Sequence, residues 1–212
     1  MEFIEAINNY REEPITIQAL KDLLKGYKRP LDKANELLKK GVLTQIKKGL
    51  YIPGPKLNIP KPEPFLLANH LLGPSYISLE SALSYWGMIP EKVYEITSVT
   101  VKRSKKFKTH GGRFTYIHIP LPYYSFGIQR IELTPRQTIL IASKEKALCD
   151  KILTTSGVLI RSPKQAKEVL IEDFRIEKQT LSHLNINEIK KWLSDAPQKN
   201  SLRNLIKMLT DI

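Results

Sequence analysis

KRPLDKANELLKKGVLTQIKKGLYI, residues Lys28 to Ile52, is the stretch whose reading decides the fold. Leu31, Ala34, Leu37 and Leu38 recur at helical spacing, so one stripe of a short helix can be buried while Arg29, Lys39 and Lys40 stay in water. Pro30 suits the first helical turn, where its missing N–H is not needed. Gly41 follows Lys39 and Lys40, the order of a cationic last turn and then a left-handed stop. Val42 to Lys47 and Leu50 to Ile52 read as two strands joined through Lys47, Lys48 and Gly49.

The residues before this stretch extend the pattern. Phe3, Ile4, Ile7 and Tyr10 form an apolar stripe that predicts a helix over residues 2–12, ended by Pro14. Thr16 can cap a second helix with Ile17, Leu20, Leu23 and Leu24 facing inward and Gly26 as its stop. Three short helices and a basic hairpin are the order of a winged helix-turn-helix, so residues 1–55 are expected to bind DNA. Lys47 and Lys48 at the ribbon tip would reach a groove or phosphates, and Lys28, Arg29, Lys33, Lys39 and Lys40 border the helix. Asp32 and Glu36 share that exposed face and oppose a polyanion unless each is paired. Glu36 can pair with Lys40, and Asp32 with Lys28 or Lys33. The competing reading of the segment is a small helical module that binds protein.

Charge favours the first reading. Among 212 residues, 34 basic side chains face 21 acidic ones, and the formal charge of +13 favours a polyanionic partner. No apolar run approaches the roughly 18 residues of a membrane span, so no membrane partner is expected. The opening residues MEFIEAINNYREEP mix acids with apolar side chains and do not read as a signal peptide, which makes cytoplasm the expected address. One cysteine, Cys149, leaves no internal disulfide and no multi-cysteine metal site.

Residues 56–64 read as a proline-rich linker, and residues 65–212 as a larger α+β domain with a helical tail. Its first part is a short apolar helix around Phe65 to Leu72. YISLESALSYWG, Tyr76 to Gly87, is a helix with Ser78 as N-cap, Glu80 in its first turn and Gly87 as stop; Ala82, Leu83 and Trp86 face one way, and Ser81 permits close packing. Glu95 to Val101 and Arg113 to Ile119 alternate as two strands of a hairpin, and its loop holds Lys102, Arg103, Lys105, Lys106, Phe107 and Lys108. That loop is either a second contact for nucleic acid or an acidic partner, or a solvated tip. Further strands are expected near Phe126 to Leu133 and Thr138 to Ala142. A helix capped by Ser143 follows, with Cys149 packed as an apolar residue and Glu145 and Asp150 as candidate partner contacts. Helices then fill the chain beyond Gly157, the last with Leu202, Leu205, Ile206 and Leu209 inward.

Catalytic chemistry is not legible. His70, His110, His118 and His183 lack ligand-like spacing, and no base sits near Ser81 in sequence. Gly111-Gly112 lacks the strand–loop–helix setting of a phosphate cradle. The chain is therefore not expected to be an enzyme, and neither a metal nor a cofactor is expected.

Three segments together, KKGLYIPG from Lys47, YISLESALSYWG from Tyr76 and ASKEKALCDKI from Ala142, resemble the AbiEi-type antitoxins, the transcriptional-regulator halves of type IV toxin–antitoxin systems in abortive phage infection. The resemblance spans roughly residues 5 to 155. Its motif residues here are Ser78, Ser81 and Trp86 in the first helix and Glu145, Lys146 and Asp150 in the second. It implies an N-terminal domain that binds double-stranded DNA repeats upstream of its own operon and represses it. It also implies a C-terminal domain that counters a co-encoded nucleotidyltransferase-like toxin, typically without a stable complex. A stand-alone winged-helix regulator and a nucleic-acid-processing enzyme are the alternatives.

Overall fold

The computed structural model describes residues 2–212. Its N-terminal part is built from α1 (Glu2–Asn8), β1 (Ile15–Thr16), α2 (Ile17–Leu23), α3 (Pro30–Lys39), β2 (Leu43–Lys47) and β3 (Leu50–Pro53). Thr16 starts α2 as its spacing predicts, its Oγ1 accepting the Ala19 N–H at 3.2 Å. Gly41, at φ +68°, turns the chain from α3 into β2. The strands form one antiparallel sheet in the order β1-β3-β2. Ile7, Ile15, Leu20, Leu24, Leu37 and Leu43 fill a small core beneath them.

Two details depart from the sequence reading. The first helix stops at Asn8 rather than near residue 12, because the chain turns there to reach Glu12, which sits at φ +66°. Leu31 does not join the buried stripe but is 52% exposed, so α3 turns Ala34 and Leu37 inward and presents Leu31 outward.

The larger part contains α4 (Pro64–Leu71), β4 (Ser75–Ile77), α5 (Leu79–Tyr85), β5 (Glu95–Thr100), β6 (Lys105–Thr109), β7 (Gly112–His118), β8 (Ile128–Thr134), β9 (Gln137–Ala142) and α6 (Lys144–Thr154). Its six strands lie in the order β6-β7-β5-β4-β9-β8. The hairpin expected between residues 95 and 119 is not there: β5 and β7 are parallel neighbours, with Glu95 opposite Arg113 and Thr100 opposite His118. The presumed loop supplies β6, which folds back antiparallel on β7 and forms the sheet edge. Alternation of polar and apolar residues fixes which face each side chain takes, but not which strand is the neighbour.

Tyr76 and Ile77 are consecutive in β4 and point to opposite faces. Tyr76 reaches α6, donating its hydroxyl to Asp150. Ser98 lies opposite both Ile77 and Tyr116, so these share the other face, where Tyr116 donates its hydroxyl to the Ala68 carbonyl of α4. The sheet is thus sandwiched between α4 on one side and α6 on the other. The helices α7 (Pro163–Glu168), α8 (Lys178–Ser182), α9 (Ile186–Trp192) and α10 (Lys199–Thr210) extend the α6 side, α10 packing on α6, α7 and α9. The chain is therefore a mixed α+β protein with two sheets, and no helix among the described residues is long and apolar enough to cross a membrane.

The proline-punctuated segment between the two parts does not hold them at a distance. All four residues of β3 are buried because the strand is a wall shared by two cores: Leu50 and Ile52 belong to the larger core, together with Ile46, and Tyr51 to the smaller one. The two parts also latch at a second place. The Glu12 carboxylate accepts hydrogen bonds from Thr134 Oγ1 at 2.8 Å and from Gln137 Nε2, and Arg136 donates to the Asn9 carbonyl.

Candidate nucleic-acid interface

The outward face of α3 follows from which residues it buries. With Ala34 and Leu37 inside, the exposed side carries Lys28, Leu31, Asp32, Asn35 and Lys39. Leu31, Asn35 and Lys39 stand four apart and form one row. Asn35 and Leu31 carry the hydrogen-bonding and apolar chemistry that base edges accept; the sequence pattern assigns Leu31 to the buried stripe and gives Asn35 no role. The signal was available: Asn35 is the one uncharged polar residue of the helix, and its spacing from Leu31 placed both on one side.

The two acids are neutralised locally. Glu36 lies between Lys40, at 2.5 Å, and Lys33, at 3.0 Å, and the Lys40 bond, followed by the Lys33 bond, holds its carboxyl below the usual range. The pairing of Glu36 with Lys40 is the one its spacing suggests. Asp32 instead meets Arg29, at 3.7 Å, rather than Lys28 or Lys33. Lys33 is half-buried, engaged by Glu36 and lying over the Tyr27 ring. Among the described residues, Lys28, Lys39 and Lys48 are exposed and make no ion pair.

The ribbon tip differs from the expected free wing. Ile46, Leu50 and Ile52 pack on the larger core, and this draws Lys47 inward, where its ammonium donates to the Leu71 carbonyl at the end of α4. Burial lowers the Lys47 pKa, with a further contribution from Lys102 and Lys105 close by. Lys102 in turn donates to the Gly73 carbonyl. Lys47 thus answers an unsatisfied carbonyl at the negative dipole end of α4, while Lys102 ties down the Gly73 carbonyl just beyond it, and Lys47 is a fastener rather than a tip contact. Lys48 remains exposed at the turn.

Folding therefore brings together two basic segments that are separate in sequence. Beyond Lys102, Arg103 is exposed just before the edge strand β6 and Lys105, Lys106 and Lys108 are exposed along it, with Lys105 over the Phe107 ring at 5.0 Å. Lysines on an edge strand also block pairing with a strand of another chain, so their presence is explained by folding as well as by binding.

The residues of the two motif helices serve the interior. Ser78 sits at the N-cap position of α5 but does not cap it; its hydroxyl donates to Asp150 Oδ2 at 2.7 Å. Tyr76 donates to the same oxygen at 3.0 Å, and Lys146 meets Asp150 Oδ1 at 3.0 Å. The Lys146 ammonium also donates to the Tyr123 carbonyl at 3.0 Å and lies 3.2 Å from the centre of the Tyr123 ring. Lys146 and Asp150 have no exposed surface, so Asp150 is not a partner contact. A Cβ at Gly127, whose φ is +63°, would lie 2.7 Å from Lys146 Cβ, so only glycine lets the chain entering β8 close over the lysine stem.

The surroundings set the titration of this cluster. Burial lowers the Lys146 pKa against the opposing pull of Asp150, and raises the Tyr76 and Tyr123 hydroxyls well above their ordinary range. It pushes the Cys149 thiol up to about 12. Tyr76, Ser78, Tyr123, Lys146 and Asp150 are all fully buried, and the cluster reads as a structural lock between β4, α5 and α6.

The other motif residues are structural as well. Ser81 Oγ accepts from the Thr97 N–H at 2.8 Å and donates to the Glu95 carbonyl, tying α5 to β5. Trp86 Nε1 donates to the Ala142 carbonyl at 2.8 Å. Glu145, half-buried, accepts from the Asn185 N–H at 3.0 Å and anchors the start of α9, so it too is engaged within the chain. No protein-family model matches the chain, and no curated protein matches it in sequence.

Proposed function

We propose that this protein is a DNA-binding regulator whose residues 1–55 form a winged helix-turn-helix domain, acting in the cytoplasm as an antitoxin and autorepressor of the AbiEi type. The observation that carries the reading is the outward row of α3, where Leu31, Asn35 and Lys39 stand together with Lys28 beside them, unobstructed by the rest of the chain. An amide can pair bidentately with adenine, an apolar side chain can meet the thymine methyl, and the flanking cations can hold phosphates. Net charge of +13 supports the same partner. Lys48 and the β6 lysines extend the positive surface on the ribbon side, while Arg29, Lys33 and Lys40 contribute less because acids already occupy them.

The antitoxin half of the proposal rests on the resemblance of YISLESALSYWG and ASKEKALCDKI to that family. Its test is growth rescue: co-expression with the neighbouring reading frame, if that frame encodes a nucleotidyltransferase-like toxin, restores growth. No rescue alongside intact binding to upstream DNA leaves a stand-alone regulator in its place.

A further inference from the structure

The helical layer carries a second cationic surface, on the face of the six-stranded sheet opposite α4 and the N-terminal part. Helix α10 has no acidic residue between Lys199 and Thr210. Leu202, Leu205, Met208 and Leu209 turn inward, and Lys199, Arg203 and Lys207 form one exposed row. At 1.5 Å rise per residue that row is about 12 Å long. Beside it run two adjoining hollows of about 440 and 380 Å³, which share Leu159, Asn200 and Arg203. Lys199 lines one end, and Arg161 and Lys207 line the other.

Three features set this groove apart from an ordinary solvated helix face. No lining side chain is acidic, and among the described residues none of the four cations makes an ion pair. Lys199 lies in the first turn of α10, where the helix dipole disfavours a cation. Leu159 stands 46% exposed between the two hollows, an apolar contact surrounded by positive charge.

We propose that this groove docks an acidic segment of a partner protein. Carboxylates on that segment would meet Lys199, Arg203, Lys207 and Arg161, and an apolar side chain between them would cover Leu159. Asn204 Nδ2 is bound to the Ile160 carbonyl, which orients its amide oxygen as an acceptor for a partner N–H. An acidic polypeptide fits better than single-stranded nucleic acid because no aromatic side chain lines the groove to stack a base. The inference stands apart from the DNA reading, since DNA on α3 lies across the sheet from α10.

The test uses the full chain, a labelled peptide of Asp and Glu around a central Leu, and a labelled single-stranded RNA of equal length. Reversing charge at K199E, R203E and K207E together weakens peptide binding by about tenfold or more, while K28A, K39A and K48A together leave it unchanged. All three reversed residues are exposed, and circular dichroism checks the fold; Arg161→Glu, outside α10, gives the same direction should the triple variant misfold. Equal peptide affinity in the original and groove variants overturns the proposal. So does a groove that loses affinity for the RNA and not for the peptide.

Discussion

In α3, Glu36 and Lys40 stand four residues apart with 42% and 58% of their side chains exposed; in α6, Lys146 and Asp150 stand four apart with none exposed. Spacing alone makes them the same kind of pair. On α3 the acid precedes the lysine, the orientation the helix dipole favours, and water screens both groups, so the pair adjusts surface charge and holds little together. On α6 the order is reversed against the dipole, and two charges have left water altogether. That arrangement persists because both ions have further partners: Tyr76 and Ser78 donate to Asp150 Oδ2, the carbonyl and ring of Tyr123 hold the ammonium, and Asp150 Oδ1 relies on Lys146 alone. One pair therefore tunes what the surface can bind, and the other fixes how three elements meet.

The largest effect that separates the two pairs is on stability. Asp150→Ala strands the Lys146 ammonium in the interior and is expected to cost about 3–5 kcal/mol by denaturant unfolding. The paired change K146M with D150L restores much of that loss, since replacing both charges leaves neither unpaired. Cys149 supplies an independent readout. Its thiol, buried and pushed up to about 12, reacts with a thiol reagent only as fast as the chain opens, and D150A accelerates that reaction. An unchanged unfolding midpoint in D150A would erase the distinction between the pairs.

Glu36→Gln produces the smaller and opposite signature. The melting temperature does not move measurably, but Lys33 and Lys40 are released, and affinity for DNA of any sequence rises severalfold at low salt in an anisotropy titration. Weaker binding after this change would mean that Glu36 reads a base amine rather than shielding the surface.

Most local signals hold where the chemistry is local, and Ser78 is the exception: it stands at the N-cap position, but Asp150 takes its hydroxyl. Thr16 and Ser143 both cap the helices their positions suggest, the Ser143 hydroxyl accepting the Lys146 N–H, and Gly41 and Gly87 both take positive φ where a stop was expected. Long-range facts were hidden for identifiable reasons. Strand alternation in 95–119 gave faces but not neighbours, so the edge strand β6 looked like a loop. Lys146 and Asp150 carry charge, and charge at helical spacing usually marks a solvated face; their burial depends on Tyr76, Tyr123 and Gly127, far away in sequence. Lys47 looked free because the strand contacts that draw it inward lie in the other core. Of the candidate interface, the helix and its flanking cations were legible, whereas Asn35 and Leu31 emerged only when the buried face of α3 was known.

The central claim, that the exposed face of α3 with Lys48 grips DNA, is tested most directly by salt titration of binding to the protein's own upstream DNA. Replacing Lys28, Lys39 and Lys48 together by alanine removes three unpaired cations. The slope of log affinity against log salt then becomes shallower by about 2.7, and affinity falls for all sequences alike. An unchanged slope and affinity would place the DNA contact elsewhere and contradict the account.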